Sequence, residues 1–289
     1  MSSTKYFSNS GLTTPVKMPY IPKECTIFST QLDGNIVEDC LFIQVGWYKK
    51  EFESEGMIVH DSDEILIFVG NDLENPEDLC AEVQLQLEND ILDITKTSVV
   101  YVPAGTAHGN IRVKNLRKPV FYYVCHMNDS MYEYSEAVPT AEKGAFADYL
   151  VEGYNPVDGI KSDAPEGFLQ HLIFLDSKKI KDAPYMETVW FKKTNDTSPA
   201  PHEHEFDELV AFISSDPDDP QNLGAEISIT IDGEPVVVTE SVVAYVPRDI
   251  GHCPLFVPKL ERPIYHFSLG NGGDYVRTGN RGNSNSYTE

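Results

Sequence analysis

Pro201-His202-Glu203-His204-Glu205-Phe206-Asp207-Glu208 decides how the chain is read, because its second half has a near copy, His60-Asp61-Ser62-Asp63-Glu64, 144 residues upstream. At the same offset Asn75-Pro76 meets Asp219-Pro220, and Leu79-Cys80-Ala81-Glu82-Val83 meets Leu223-Gly224-Ala225-Glu226-Ile227. Tyr101-Val102-Pro103 meets Tyr245-Val246-Pro247, His108 meets His252, and Pro119 meets Pro263. The match needs no gap over about 70 residues, and a self-similarity of that length fixes the architecture before any motif does. Upstream, Trp47-Tyr48-Lys49-Lys50 echoes Trp190-Phe191-Lys192-Lys193 after a one-residue shift. The chain reads as two copies of one domain.

Each copy reads as β. Leu41–Trp47, Glu64–Val69, Ala81–Leu87, Ser98–Val102 and Val120–Val124 are short and rich in Val, Ile, Phe and Tyr. Turn-forming stretches such as Gly70-Asn71-Asp72, Glu88-Asn89-Asp90 and Pro103-Ala104-Gly105 separate them. In the second copy Asp232-Gly233 predicts a hairpin between two such runs. Many short strands without helical periodicity indicate an all-β sandwich or barrel. The expected organisation is a first barrel over residues 20–130, a connector over 131–166, a second barrel over 167–270 and a flexible tail over 271–289. The stretch 141–150 is expected to form one short helix.

Charge and cysteine usage narrow the partners. With 22 Lys+Arg against 46 Asp+Glu the formal charge is −24, which repels phosphate backbones and anionic headgroups. Neither nucleic acid nor a membrane is an expected partner. No run reaches the length of a membrane span, and Met1-Ser2-Ser3-Thr4-Lys5 leads into no signal-peptide core. The five cysteines are scattered without CxxC spacing, which suits free thiols in a reducing cytoplasm.

The strongest chemistry lies in the second copy. Alternation along a strand places positions 202, 204 and 208 on one face, so two imidazoles and a carboxylate are delivered to one point. His252 follows a strand and a Pro-containing turn, and can reach the same interior. Imidazole and carboxylate suit Mn, Fe, Ni, Cu or Zn, and four protein ligands leave open positions on an octahedral ion. The spacing HxHxxxE followed by PxxxxH resembles the two motifs of the cupin superfamily, and the duplication resembles a bicupin. The resemblance implies two tandem double-stranded β-helix, or jelly-roll, barrels and one divalent metal ion per chain (Mn, Fe, Zn or Ni). It assigns the ligand roles to His202, His204, Glu208 and His252. Asp249 stands where the second motif usually has glycine, and the glycine that opens the first motif is also missing.

In the first copy His60, Glu64 and His108 match three of these ligands, but Ile58 replaces the fourth. That leaves a second, incomplete set, expected to be degenerate. Three further residues are candidates for catalysis. Glu226 would act as a base or a partner to a ligand if it pointed into the barrel, although its twin Glu82 argues for a structural role. His266 stands where the first copy has Tyr122 and can line the cavity. Arg248, beside the motif, can hold a substrate carboxylate, although a surface turn is the commoner placement. Cys253, next to His252, reads as a small buried residue.

The function these readings favour is a lyase, hydrolase or oxygenase acting through the metal on a small oxygen-rich carbonyl or carboxylate compound. The alternative is a non-catalytic metabolite-binding or sensing bicupin with a structural metal or none. No nucleotide-binding glycine motif is present, and the resemblance extends to self-association as a homodimer.

Overall fold

The computed structural model describes residues 3–8, 14–157, 164–197 and 199–276. All of its strand pairs are antiparallel, and the helical elements among the described residues are two short 3-10 turns, Ser3–Tyr6 and Lys23–Cys25. In the first half the larger sheet runs, in spatial order, Thr26–Leu32, Ile43–Tyr48, Val120–His126, Glu64–Val69, Ser98–Val102 and Leu150–Glu152. Facing it are Ser135–Ala137, Met57–Val59, His108–Lys114, Asp78–Leu87 and Asp90–Lys96. The second half repeats the order with Leu169–Leu175, Tyr185–Phe191, Ile264–Gly270, Glu208–Ser214 and Val242–Val246. Its smaller sheet is Glu234–Glu240, Asn222–Ile231 and His252–Leu260. Each pair of sheets closes on its own apolar interior, giving the two jelly-roll barrels that the repeat predicts.

The sequence offset survives as geometry. Asn222–Ile231, Glu234–Glu240, Val242–Val246 and Ile264–Gly270 each start and stop 144 residues after their counterparts. Leu169–Leu175 lies 143 residues after Thr26–Leu32, the same one-residue shift seen around the tryptophans.

Strands of the smaller sheets alternate buried and exposed, as in Asp90–Lys96, because one face meets water. Val120–His126 and Glu208–Ser214 are instead buried at every position. Their inner faces fill the barrels, and their outer faces form one apolar layer shared by both halves. Residues one repeat apart meet in that layer. Phe121 stacks on Tyr265 with ring centroids 4.2 Å apart, and Tyr123 stacks on Phe267 at 4.1 Å. The barrels therefore pack about an approximate two-fold relation, with Trp47 and Trp190 both against Tyr265.

Two segments differ from expectation. Residues 141–149 form turns and bends and Leu150 opens a strand, so the expected helix is absent, and several backbone donors there are claimed from outside the segment. Glu88 accepts from the Thr140 and Ala141 N–H groups, and Asp90 accepts from those of Gly144 and Phe146. Asp90 thereby holds two of the donors that a helix would need for its i to i−4 bonds. The connector is also less of a linker than its composition suggests, since Ser135–Ala137 and Leu150–Glu152 extend the first barrel's sheets. Leu150–Glu152 covers the edge strand Ser98–Val102. The matching edge Val242–Val246 is covered by the N-terminal arm, where Phe7 bridges Ala244 and the Ser8 N–H donates to Val243.

Of the tail over 271–289, residues 277–289 lie outside the described residues, and 271–276 are held against the second barrel. No helix among the described residues is long and apolar enough to cross a membrane. All five cysteines are buried with free thiols.

Candidate metal centre

Glu208 opens its strand opposite Val246 and Gly270, with its carboxylate facing the barrel interior. The ligand atoms of His204, Glu208 and His252 lie within 4.8 Å of one another, and all three residues are buried. His252 Nε2 is 3.1 Å from Glu208 Oε2, and His204 Nε2 is 3.6 Å from the same oxygen. His202 pairs with His252 by a two-way backbone bridge, and their ring centroids are 4.3 Å apart. Its ring falls in a neighbouring group with His252 and Cys253, 5.0 Å from the His204 ring. Three expected ligands thus converge tightly and the fourth stands beside them.

Local hydrogen bonds fix this arrangement. A carbonyl oxygen only accepts, so each imidazole nitrogen facing one must carry the proton. His202 Nδ1 faces the Ala200 carbonyl at 2.9 Å and His204 Nδ1 faces that of Val276 at 2.6 Å, which leaves both Nε2 atoms as the basic ones. Burial pushes the Glu208 carboxyl up, but His252, His204 and His202 outweigh it and hold the group below the usual carboxylate range. A buried carboxylate ringed by imidazole nitrogens is a donor set for a divalent cation, which would take the place of the imidazole protons.

The motif turn is stapled to the ligand segment in the same way in both barrels. The Asp249 N–H donates to the His204 carbonyl, as the Gly105 N–H does to that of His60. Asp207 accepts from the Arg248 N–H, as Asp63 does from that of Ala104. Asp249 adopts φ +62° where Gly105 has φ +78°, so the missing glycine leaves the turn unchanged. Asp and Asn enter this region more readily than other residues that carry a Cβ. Above the site Tyr275 places its hydroxyl 3.4 Å from His202 Nε2, and Phe206 stacks on His204 at 4.6 Å. Sequence reasoning missed Tyr275 because a Gly- and Asn-rich segment offers little to bury.

The three candidate catalytic residues do not join this centre as first expected. Glu226 lies on the outer face of its strand, where its carboxylate pairs with Lys259 at 2.8 Å. Its neighbours Ala225 and Ile227 take the inward positions. Arg248 is an exposed turn residue, 57% accessible at its side chain, that binds Asp207 at 3.2 Å. His266 does point into the second barrel, sandwiched between Phe191 and Phe212, with Nδ1 facing the Ala211 carbonyl. Burial pushes it down to about 4, so it is neutral at ordinary pH.

The first barrel holds more than the sequence suggested. His60 Nε2 and His108 Nε2 lie 3.4 Å and 3.1 Å from Glu64 Oε2, while Ile58 is absorbed into the core. A third imidazole is nevertheless present. His126, which ends the strand Val120–His126, sits directly opposite Glu64 and places Nε2 3.5 Å from Glu64 Oε1.

No family model and no curated protein sequence matches this chain. Solved structures do. AerE from Microcystis aeruginosa is 13% identical, with a TM-score of 0.56 over 92% of this chain and 98% of its own. A deletion mutant of oxalate decarboxylase OxdC from Bacillus subtilis is 12% identical, with a TM-score of 0.59 over 94% of this chain and 78% of its own. The chain has the bicupin fold. Another OxdC structure, 13% identical with a TM-score of 0.54 over 92% of this chain and 80% of its own, was described for its Mn(II) centres. At these identities the likeness is one of architecture alone, and the chemistry rests on this chain's own residues.

Proposed function

We propose that the protein is a metal-dependent bicupin enzyme acting on a small oxygen-rich carbonyl or carboxylate compound, with His202, His204, Glu208 and His252 holding one divalent ion. The observation that carries this reading is the convergence of His204, Glu208 and His252 on one buried point. When bound, such an ion supplies Lewis-acid stabilisation of negative charge on a chelated substrate. The chain's residues do the rest. The Ala200 and Val276 carbonyls hold two imidazoles in the tautomer that turns a lone pair inward. Phe206 and Tyr275 exclude water from the ligand side. The Tyr275 phenol can hydrogen-bond a substrate oxygen beside His202.

The burial of all four ligands also favours a second reading, in which the barrel binds a metabolite without converting it. One experiment separates the two. The purified chain, its metal-stripped form and His204→Ala are assayed with a panel of small carboxylates, beginning with oxalate because an oxalate decarboxylase shares the fold. The enzyme reading expects turnover that follows metal content and falls by more than about 100-fold in the variant, since even partners of ligands are worth 10–100-fold. Metal-dependent binding without turnover on any panel member supports the binding protein. A C-terminal site that takes up no metal removes the enzyme reading and leaves the metal-free form of the binding protein.

A further inference from the structure

We infer that the first barrel holds a second divalent metal ion through His60, Glu64, His108 and His126, the last supplied by a strand that carries no ligand in the other barrel. The inference concerns a different site from the one proposed above and does not depend on it.

The placement of His126 is set by backbone register. His126 is the cross-strand partner of Glu64, and directly opposed residues share a face of the sheet. The equivalent partner of Glu208 is Gly270, which has no side chain to offer. Space is exchanged in step. In the second barrel Phe206 fills the volume over Gly270, whereas its counterpart Ser62 is small and leaves room for the His126 ring. The imidazole absent at Ile58 is thus replaced from another wall of the barrel.

Three carbonyls orient the three rings. His60 Nδ1 faces the Ser62 carbonyl at 2.7 Å, His108 Nδ1 that of Thr106 at 3.0 Å, and His126 Nδ1 that of Met131 at 3.2 Å. Each Nδ1 therefore carries a proton, and in the neutral ring each Nε2 turns a lone pair toward Glu64. The three Nε2 atoms and both Glu64 oxygens are fully buried, and none has a hydrogen-bond partner. Buried polar atoms are almost always satisfied, so five unsatisfied ones around one point need a common partner. Acceptors cannot satisfy one another, and a cation satisfies all five at once. Tyr20 and Tyr132 roof the cluster, with their hydroxyls 2.8 Å apart and Tyr132 stacked on His126 at 4.8 Å. Three neutral nitrogens and one carboxylate suit a first-row divalent ion.

The test counts ions in the full-length chain, stripped by chelation and reloaded with Mn2+ alone, in parallel with His126→Gln, His204→Ala and the double variant. The expected result is two ions in the wild-type chain, one in either single variant and none in the double. A wild-type chain that binds one ion, lost in His204→Ala and kept in His126→Gln, overturns the inference. So does His126→Gln retaining two. Should His126→Gln fail to fold, anomalous scattering from Mn2+-loaded wild-type crystals decides: a peak bonded to His126 Nε2 upholds the assignment, and its absence overturns it. An empty second barrel beside a filled first one would remove the proposed function and leave this inference standing.

Discussion

The two barrels share strand order, turn hydrogen bonds and the position of the acidic residue, yet a different wall supplies the third imidazole in each. In the second barrel His202 extends the segment that also carries His204 and Glu208. In the first, Ile58 takes that position and His126 reaches in from the strand paired with Glu64. The difference teaches that a donor set is specified by which side chains reach a point, not by their order in a motif. Packing follows the choice, since Ser62 accompanies His126 and Phe206 accompanies Gly270.

The largest expected effect tests how far the barrels are separate units at all. Tyr265 lies fully buried between Trp47, Trp190 and Phe121, and its hydroxyl donates to the Gly70 carbonyl. Truncating a buried aromatic costs about 3–5 kcal/mol, so Tyr265→Ala should lose that much stability in urea denaturation followed by circular dichroism. Tryptophan fluorescence should then separate two transitions as the shared layer loosens. A loss below about 1 kcal/mol would mean that the barrels fold on their own cores and merely touch.

How much of this was legible follows from the same repeat. Strands that recur at the 144-residue offset were readable because two copies of a pattern reinforce each other. The four second-barrel candidates could be picked out because one stretch and one turn carry them. His126 was not, because its partner at that offset is Gly270, and matching one copy to the other hides a ligand present in only one of them. The signal that could have found it is a lone imidazole ending the otherwise apolar run Val120-Phe121-Tyr122-Tyr123-Val124-Cys125. Residues 141–150 were misread because the groups that unwind them, Glu88 and Asp90, lie about 50 residues away in sequence and meet them only through tertiary contacts. Which way Glu226 faces stayed open in the sequence, because the alternation that turns it outward depends on a register that composition does not reveal.

A middle-sized effect probes the packing exchange directly. A Cβ added at Gly270 would land on the Phe206 ring, which cannot yield without disturbing its stack on His204. Gly270→Ala should therefore cost about 1–3 kcal/mol, the usual range for overpacking, and weaken Mn2+ binding at the second barrel only. Phe206→Ser costs its own buried ring, but in that background the added Cβ meets no ring, so the further cost of Gly270→Ala should fall below about 1 kcal/mol. If Gly270→Ala binds metal and melts as the wild type does, Phe206 is free to move, and the paired difference between the barrels has no energetic meaning.

The smallest effect concerns the turn where the barrels differ in sequence but agree in shape. Asp249 holds a left-handed backbone at φ +62°, and Gly105 holds it at φ +78°. A residue with a Cβ is strained there by about 1–2 kcal/mol, while glycine gives up about 0.5–1 kcal/mol through its freer unfolded state. The two terms nearly cancel, and aspartate suffers less than most residues. Asp249→Gly should thus stay within about 1 kcal/mol of the wild type in thermal denaturation, with metal uptake unchanged. Asp249→Val puts a branched side chain in the same conformation and should cost about 1–3 kcal/mol. It should also loosen the second site, because the Asp249 N–H is what ties this turn to the His204 carbonyl. Equal stability of the glycine and valine variants would show that the turn relaxes freely, and that its agreement with the first barrel is not what holds His204 in place.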